Sequence, residues 1–257
     1  GGLLGPFHAE ALLDLGATVI LLDKNYESLE RAVSKLKAYD KNKIYIFKCD
    51  VSDEEQVNNI NDKLLSNNMS VNVLINNAAN NPQMMQLGDS DFSNRFEDIN
   101  IKDIEDDIKC SIHATLICCK IFGKEMALNN EGSIINVASD LAIQAPDQRV
   151  YVKSEKMEDV RNFKPISYSV VKSSLLGITR YLSTYWGHKN IRCNTLVPGA
   201  VFNNQPEVLV NNVKKRVPLR RWADVKDYQG ALVFLASDAS SYMTGQELII
   251  DGGRSIW

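Results

Sequence analysis

Tyr168 and Lys172, in the run YSVVK, stand four positions apart. On a helix that spacing puts both side chains on one face. A free phenol titrates at roughly 10 and is a poor base at neutral pH. An ammonium held beside it favours the phenolate and lowers that value, and a positively charged ring nearby adds to the effect. The pair can then serve as general base when an alcohol is oxidised and as general acid when a ketone is reduced. Spacing alone is not specific, because Tyr39 and Lys43 match it too, in a polar turn ahead of a strand. Ser139 singles out the later pair. It closes the apolar run GSIINVAS, and strand ends of an open parallel sheet are where ligands bind. Its hydroxyl would polarise a carbonyl or hold an alcohol oxygen beside Tyr168; an ordinary turn serine is the alternative.

A second group of residues suits a dinucleotide. Gly1, Gly2 and Gly5 in GGLLG lead into an apolar-periodic segment and then an apolar run ending in Asp23. Glycines there give a tight turn and let backbone N–H groups approach a pyrophosphate at a helix N-terminus. An acid at the end of the next strand accepts both ribose hydroxyls and repels a 2′-phosphate, which favours NAD over NADP; an Asp that only caps the following helix is the alternative. Asp50 and Val51, in CDV, end a further strand, where the carboxylate would bond an adenine amino group and the valine would pack on the ring. Asn77, Ala78 and Ala79, in NNAA, end another: the amides brace the strand end and the alanines leave room for a ligand, or the segment is a plain Asx turn.

Something must deliver all these residues to one place. After the glycine turn, helical and strand patterns alternate, which argues for parallel βαβ units with helices on both faces of a sheet. Strands are expected near 18–23, 44–48, 71–76, 132–138, 190–196 and 247–250. Helices are expected near 7–15, 25–38, 53–67, 100–127, 166–187 and 224–237, with a shorter one around 206–216. Ser52 to Glu55 (SDEE) is a capping-box signal for the third helix. The turn at Gly1 needs a strand before it, in the middle of such a sheet; about ten residues upstream of Gly1, one strand length plus a start, are expected to supply it. A glycine-rich tag remnant is the other explanation of the cluster.

The chain has 257 residues, 44% of them hydrophobic, and residues 1–257 fit a single large α/β domain. The break in its rhythm is the long polar stretch 140–167. A net charge of −3 gives no reason to expect nucleic acid or an anionic membrane as partner. There is no apolar run long enough to span a bilayer. Cys49, Cys110, Cys118, Cys119 and Cys193 form an odd set without metal or redox spacing, which suits reduced thiols in a cytoplasmic protein. His8, His113 and His188 lie far apart and show no metal-ligating pattern.

Taken together, these pieces resemble the short-chain dehydrogenase/reductase family in its compact branch. The match includes GGLLG, Asp23, Asp50-Val51, NNAA, Ser139, Tyr168, Lys172, VPG at 197–199 and SSYMTGQELIIDGG near the end, and runs over essentially the whole chain. The resemblance implies a Rossmann-like doubly wound parallel sheet of about seven strands and a nicotinamide cofactor. It implies hydride transfer between nicotinamide and a secondary alcohol or ketone by a Ser/Tyr/Lys set, with Lys172 also bonding the nicotinamide ribose. Pro198 and Gly199 would lie beside the nicotinamide, with backbone groups of following residues such as Val201 on its carboxamide. Three departures stand out. Ser111 occupies the place of an Asn that usually anchors a proton-relay water. Asn203 replaces a Thr soon after PG. And Ser139 and Tyr168 are 29 positions apart, well beyond the usual spacing, so 140–167 is an insertion at the rim of the site.

That insertion sets Arg149, Lys153, Lys156, Arg161 and Lys164 against Asp147, Glu155, Glu158 and Asp159. Such balance suits a solvated surface; alternatively some of the cations meet an anionic small-molecule substrate. The insertion together with FNNQPE is also similar to members that act in sugar-nucleotide and flagellin-glycan modification. The rival readings are a non-catalytic NAD-binding sensor or scaffold and a sugar-nucleotide epimerase or dehydratase, whose relatives share the Tyr/Lys spacing. Two helices that are apolar on more than one face, in 113–128 and 168–186, suggest a homotetramer or homodimer.

Overall fold

The computed structural model describes residues 1–80 and 94–256. The chain enters α1 (Gly5–Leu13), β1 (Val19–Asp23), α2 (Tyr26–Lys35), β2 (Ile44–Lys48), α3 (Glu54–Ser66) and β3 (Val73–Asn76). It continues through α4 (Ile101–Ile108), α5 (Ala114–Asn129), β4 (Gly132–Val137), α6 (Ile166–Trp186), β5 (Ile191–Pro198), α7 (Glu207–Lys215), α8 (Gln229–Ala236) and β6 (Glu247–Ile250). All strand pairs are parallel, as the near-continuous apolar strands require.

The strand count differs from the expected seven. Six strands lie among the described residues, β1 beside β2 in one sheet and β3-β4-β5-β6 in another, and no ladder joins β1 to β3. The seventh strand was expected ahead of Gly1, outside the described residues.

Helices cover both faces of the larger sheet, and neighbouring residues of β4 show it. Ile134 packs with Val57, Leu64, Phe122 and Leu182 from α3, α5 and α6. Ile135, one step along the strand and so on the other face, packs with Tyr228, Leu232 and Leu235 around α8. Gly132, Gly123 and Gly199 make close approaches; a Cβ on Gly123 would sit 2.5 Å from the Trp186 ring, so only glycine lets α5 and α6 pack there.

Two local expectations shift. The third helix begins one residue later than SDEE suggests: Asp53 is the cap, its carboxylate accepting from the backbone N–H groups of Glu55 and Gln56. The helix expected over 100–127 is broken by a π turn at Lys109–His113 between α4 and α5.

The insertion is a packed structure of three short turns. Val150 and Val160 are buried. Asp147 and Glu155 are tied to Arg216, just past α7, at 2.7 and 2.8 Å, and Glu155 also pairs with Lys215. Asn212 of α7 donates to the carbonyls of Val150 and Val152. The side-chain bond from Arg149, and after it the bond from Arg216, hold Asp147 well below the ordinary carboxylate range against the effect of burial.

Candidate active site

Strand β4 and helix α6 meet where the catalytic candidates lie. Ser139 follows β4 in extended backbone and is 8% exposed. Its hydroxyl donates to Asp140 Oδ1 at 3.0 Å and accepts from the Leu141 N–H at 3.2 Å. Asp140, fully enclosed, also accepts from Gln144 and forms a 2.7 Å ion pair with Arg254. A lone buried carboxylate would be costly; Arg254 offsets that charge and the three donors hold it in place.

Tyr168 and Lys172 lie in the first two turns of α6. Lys172 Nζ donates to the Val137 carbonyl, the last of β4, at 2.9 Å. The same strand end therefore positions both Ser139 and the ammonium. Burial, with Lys164 nearby, lowers Lys172 to about 8. The expectation that its ammonium draws the Tyr168 phenol down is corrected by the surroundings: burial raises the phenol above 10.0, Asp140 adds to that, and hydrogen bonding to Ser139 pulls against both. Desolvation of the phenolate is the largest of these influences, and Lys172 Nζ sits 6.0 Å from the ring centroid.

The nucleotide candidates stand at the glycine turn and at or just past the ends of β1, β2, β3 and β5. Gly1 cannot carry a side chain, since a Cβ would lie 2.6 Å from Ser28. At Gly2 a Cβ would meet nothing within 4 Å, and at Gly5 only Asn77, at 3.9 Å. The turn is thus open on the side that leads to Asn77 of NNAA. Asp23 ends β1 with one oxygen bonded to the Asn25 N–H; Asn25, not Asp23, caps α2. Asp50 accepts from Ser52 through both backbone and hydroxyl, which lowers its pKa, and half-buried Val51 packs against the core. Gly199 lies against Asp251, where a Cβ would come within 2.7 Å of the backbone. Val201 bridges to Ala223.

Beneath these residues lies a polar ladder of which the sequence marks only Asn76, the first residue of NNAA. Asn76 donates to Asn136 at 2.9 Å, Asn136 to Thr179 at 2.8 Å, and Thr179 meets Thr195 at 2.7 Å. The three strand residues are register partners on β3, β4 and β5. Their polarity inside apolar strands was the available signal. Asp140 and Arg254 were also missed, and nothing local marks a pair 114 positions apart.

Ser111 falls within the π turn and is buried, its Oγ without a hydrogen-bond partner among the described residues. π turns concentrate at functional sites. Of the insertion's cations, Arg149 is engaged by Asp147 and Arg161 bonds the carbonyls of Glu158 and Val160. Lys153 and Lys156 are exposed. Lys164 alone reaches the catalytic group, 3.8 Å from the Tyr168 ring centroid. Four of the five cysteines are buried, all are free, and no metal-ligating cluster occurs among the described residues.

A family described as Enoyl-(Acyl carrier protein) reductase matches residues 4–255. The chain belongs to the short-chain dehydrogenase/reductase family. Among curated relatives, D-threitol dehydrogenase of Mycolicibacterium smegmatis is 27% identical, over 98% of this chain and 89% of its own length. Gluconate 5-dehydrogenase of Gluconobacter oxydans is 28% identical, over 98% and 91%. The post-translational flagellin modification protein A of Campylobacter coli is 24% identical, over 98% and 94%. Among solved structures, a short-chain dehydrogenase from Leptospira borgpetersenii with bound NAD+ superimposes with TM-score 0.81 at 25% identity, over 99% of this chain and 89% of the other. A gluconate 5-dehydrogenase from Burkholderia cenocepacia, in complex with NADP and tartrate, gives 0.79 at 22%, over 99% and 91%. As a member of this family the protein is an NAD(P)-dependent oxidoreductase acting on an alcohol/ketone pair. No helix among the described residues is long and apolar enough to cross a membrane.

Proposed function

We propose that residues 1–257 form one enzyme domain that oxidises a secondary alcohol on a sugar-derived, polyhydroxylated substrate with NAD, using Tyr168, Ser139 and Lys172. The observation that carries this reading is the convergence of Ser139 and Lys172 on the end of β4, with Tyr168 between them on α6. The open glycine turn, Asp23 at the end of β1 and the strand-end alanines fit a nicotinamide dinucleotide. When bound, that cofactor supplies a hydride acceptor.

Tyr168 phenolate takes the proton of the alcohol O–H as the neighbouring C–H hydrogen leaves with its electron pair; in reduction the phenol returns the proton to the new alkoxide. Ser139, whose hydroxyl donates to Asp140 in the free chain, would turn that hydrogen to the substrate oxygen and so hold it against the phenol. Lys172 is placed to bond the nicotinamide ribose and to favour the phenolate. Ser111 would hold a water that carries the proton onward. Asp23 would bond the adenine ribose hydroxyls and favour NAD over NADP; Asp50 and Val51 would hold adenine, and Asn77, Ala78, Ala79, Pro198, Gly199 and Val201 would line the rest of the cofactor.

The sugar-type substrate is supported by the threitol and gluconate dehydrogenases among the relatives. A nucleotide-activated sugar is the narrower form, supported by the flagellin-modification relative and by an insertion that walls the site. Exposed Leu116, Val170, Tyr181 and Tyr185 on α5 and α6 support a homodimer or homotetramer. The test is turnover by the purified chain across polyols, sugar acids and nucleotide-activated sugars, with NAD and NADP in parallel, followed by the absorbance of the reduced nicotinamide. Turnover on a sugar-type alcohol with NAD preferred is expected. Activity confined to a steroid or a simple aliphatic alcohol overturns the substrate class, and preference for NADP overturns the role of Asp23.

A further inference from the structure

Tyr168 is flanked by two lysines. Lys172 follows it by four residues and is anchored on Val137, with Nζ 6.0 Å from the ring centroid. Lys164 precedes it by four residues, belongs to the insertion rather than to α6, and places Nζ over the same ring at 3.8 Å. The nearer cation is therefore the one that the resemblance to the family does not supply.

Its placement is built. The Lys164 backbone N–H donates to Gln148 Oε1 at 2.8 Å, Val160 is buried close behind it, and the whole insertion is tied to α7 through Asp147, Glu155 and Arg216. Burial lowers Lys164 to about 8, with Asp140 and Asp107 opposing the shift. Among the described residues, the charged and titratable groups around the phenol and its two lysines are Asp140, Arg254, Asp107, Tyr151 and Cys110. Asp140 and Arg254 neutralise each other at 2.7 Å. Asp107 also accepts from Asn80. Among the described residues, two ammonium groups stand beside the ring itself.

A cation within about 6 Å of a ring centroid is attracted to the π face, and the attraction grows when the ring carries a full negative charge, so such a cation favours phenolate over phenol. Burial and Asp140 act in the other direction. We propose that Lys164 is a positioning residue for the reaction: the insertion delivers a second ammonium onto the face of Tyr168, and this contact, together with Lys172, holds the phenolate that abstracts the alcohol proton. The inference rests on Tyr168 being the base. It gives the insertion a part in proton transfer as well as in shaping the pocket.

The test uses the full chain saturated with NAD. The Tyr168 titration is isolated as the tyrosinate ultraviolet absorbance of each protein minus that of the same protein carrying Tyr168→Phe. Lys164→Met should move the midpoint upward by about one pH unit or more, move the acid limb of the kcat/KM profile for alcohol oxidation upward by the same amount, and leave KM nearly unchanged; Lys164→Arg should restore both. An unmoved midpoint, or a change in KM alone, overturns the proposal. If Lys164→Met does not fold, Lys164→Gln carries the same comparison with the same two outcomes. Undiminished turnover in Tyr168→Phe would overturn the proposed base, whereas the titration still reads the Lys164 contact, so the two failures are distinguishable.

Discussion

The chain contains the Tyr-x-x-x-Lys spacing twice, at 39/43 and at 168/172, and the two regions turn it to different ends. Tyr39 lies in the turn after α2, and its hydroxyl donates to Asp14 at 2.5 Å; that bond, more than any other contribution, raises the phenol to about 12. Lys43 leaves it alone and caps the carbonyl of Gly16 at 2.8 Å. The pair ties β2 to the end of α1 and keeps its proton. Tyr168 and Lys172 share a helix, and that helix abuts a strand end. There the phenol faces a hydroxyl instead of a carboxylate, and two ammonium groups stand beside it. Identical spacing thus gives a structural clasp in one place and a candidate proton-transfer group in the other. The partner of the phenol decides.

The sharpest way to break the comparison is to remove each hydroxyl. Tyr168→Phe is expected to lower kcat by about 10²- to 10⁴-fold, the usual worth of a general base, while the NAD dissociation constant stays close to wild type. Tyr39→Phe is expected to leave kcat unchanged and to lower only the thermal midpoint. Steady-state kinetics with a cofactor-binding titration on both variants reads the difference, and equal losses would erase it. Ser139→Ala should cost about 10²-fold in kcat, as loss of one oriented donor or acceptor at a reacting oxygen does; a change confined to KM would make Ser139 a binding residue only.

A smaller effect is expected at the cofactor. Losing charge-assisted bonds from a carboxylate removes about 1.5–3 kcal/mol, so Asp23→Ala should weaken NAD by roughly 10- to 100-fold and leave NADP binding equal or better. Direct titration of both nucleotides checks it, and equal weakening of the two would remove the discriminating role.

The smallest effect is on stability. Lys172 and Lys164 titrate near 8 in the folded chain against 10.5 when unfolded. Between those values the unfolded state binds more protons, so stability rises with pH from about 8 toward 10.5. Below that window both states are protonated and the burial cost is present in full. Thermal midpoints across the window should climb in the wild type and climb less in Lys172→Met. Lys43→Met should follow the wild type. Parallel curves for all three would contradict the burial argument.

Much of the fold was legible because parallel strands are apolar throughout and helices repeat with a different period: β2 and β6 fall on 44–48 and 247–250, where the pattern puts them. What was not legible depends on contacts made after folding. The π turn at Lys109–His113 interrupts a run whose periodicity reads as one helix. The cap at Asp53 won over Ser52 because Ser52 is committed to Asp50. Within the site, Ser139, Tyr168 and Lys172 announce themselves by spacing and by the strand before them. Lys164 was visible only as one of five cations, and its distinction from Arg149 arises because Asp147 takes the latter. Arg254 meets Asp140 only when the last residues are folded back onto the middle of the chain. The direction of the Tyr168 shift also escaped, since spacing reveals a neighbouring amine and says nothing of how much water the fold removes.

The proposed reaction requires Tyr168 to be the group that meets the reacting carbon's oxygen at the nicotinamide. A crystal structure of the chain with NAD and an oxidisable sugar-type alcohol measures this directly. It should place the alcohol oxygen within hydrogen-bond distance of both Tyr168 Oη and Ser139 Oγ, its carbon about 3–3.5 Å from nicotinamide C4, and Lys172 on the ribose. A nicotinamide ring lodged away from residue 168, or an alcohol oxygen that contacts neither hydroxyl, would contradict it.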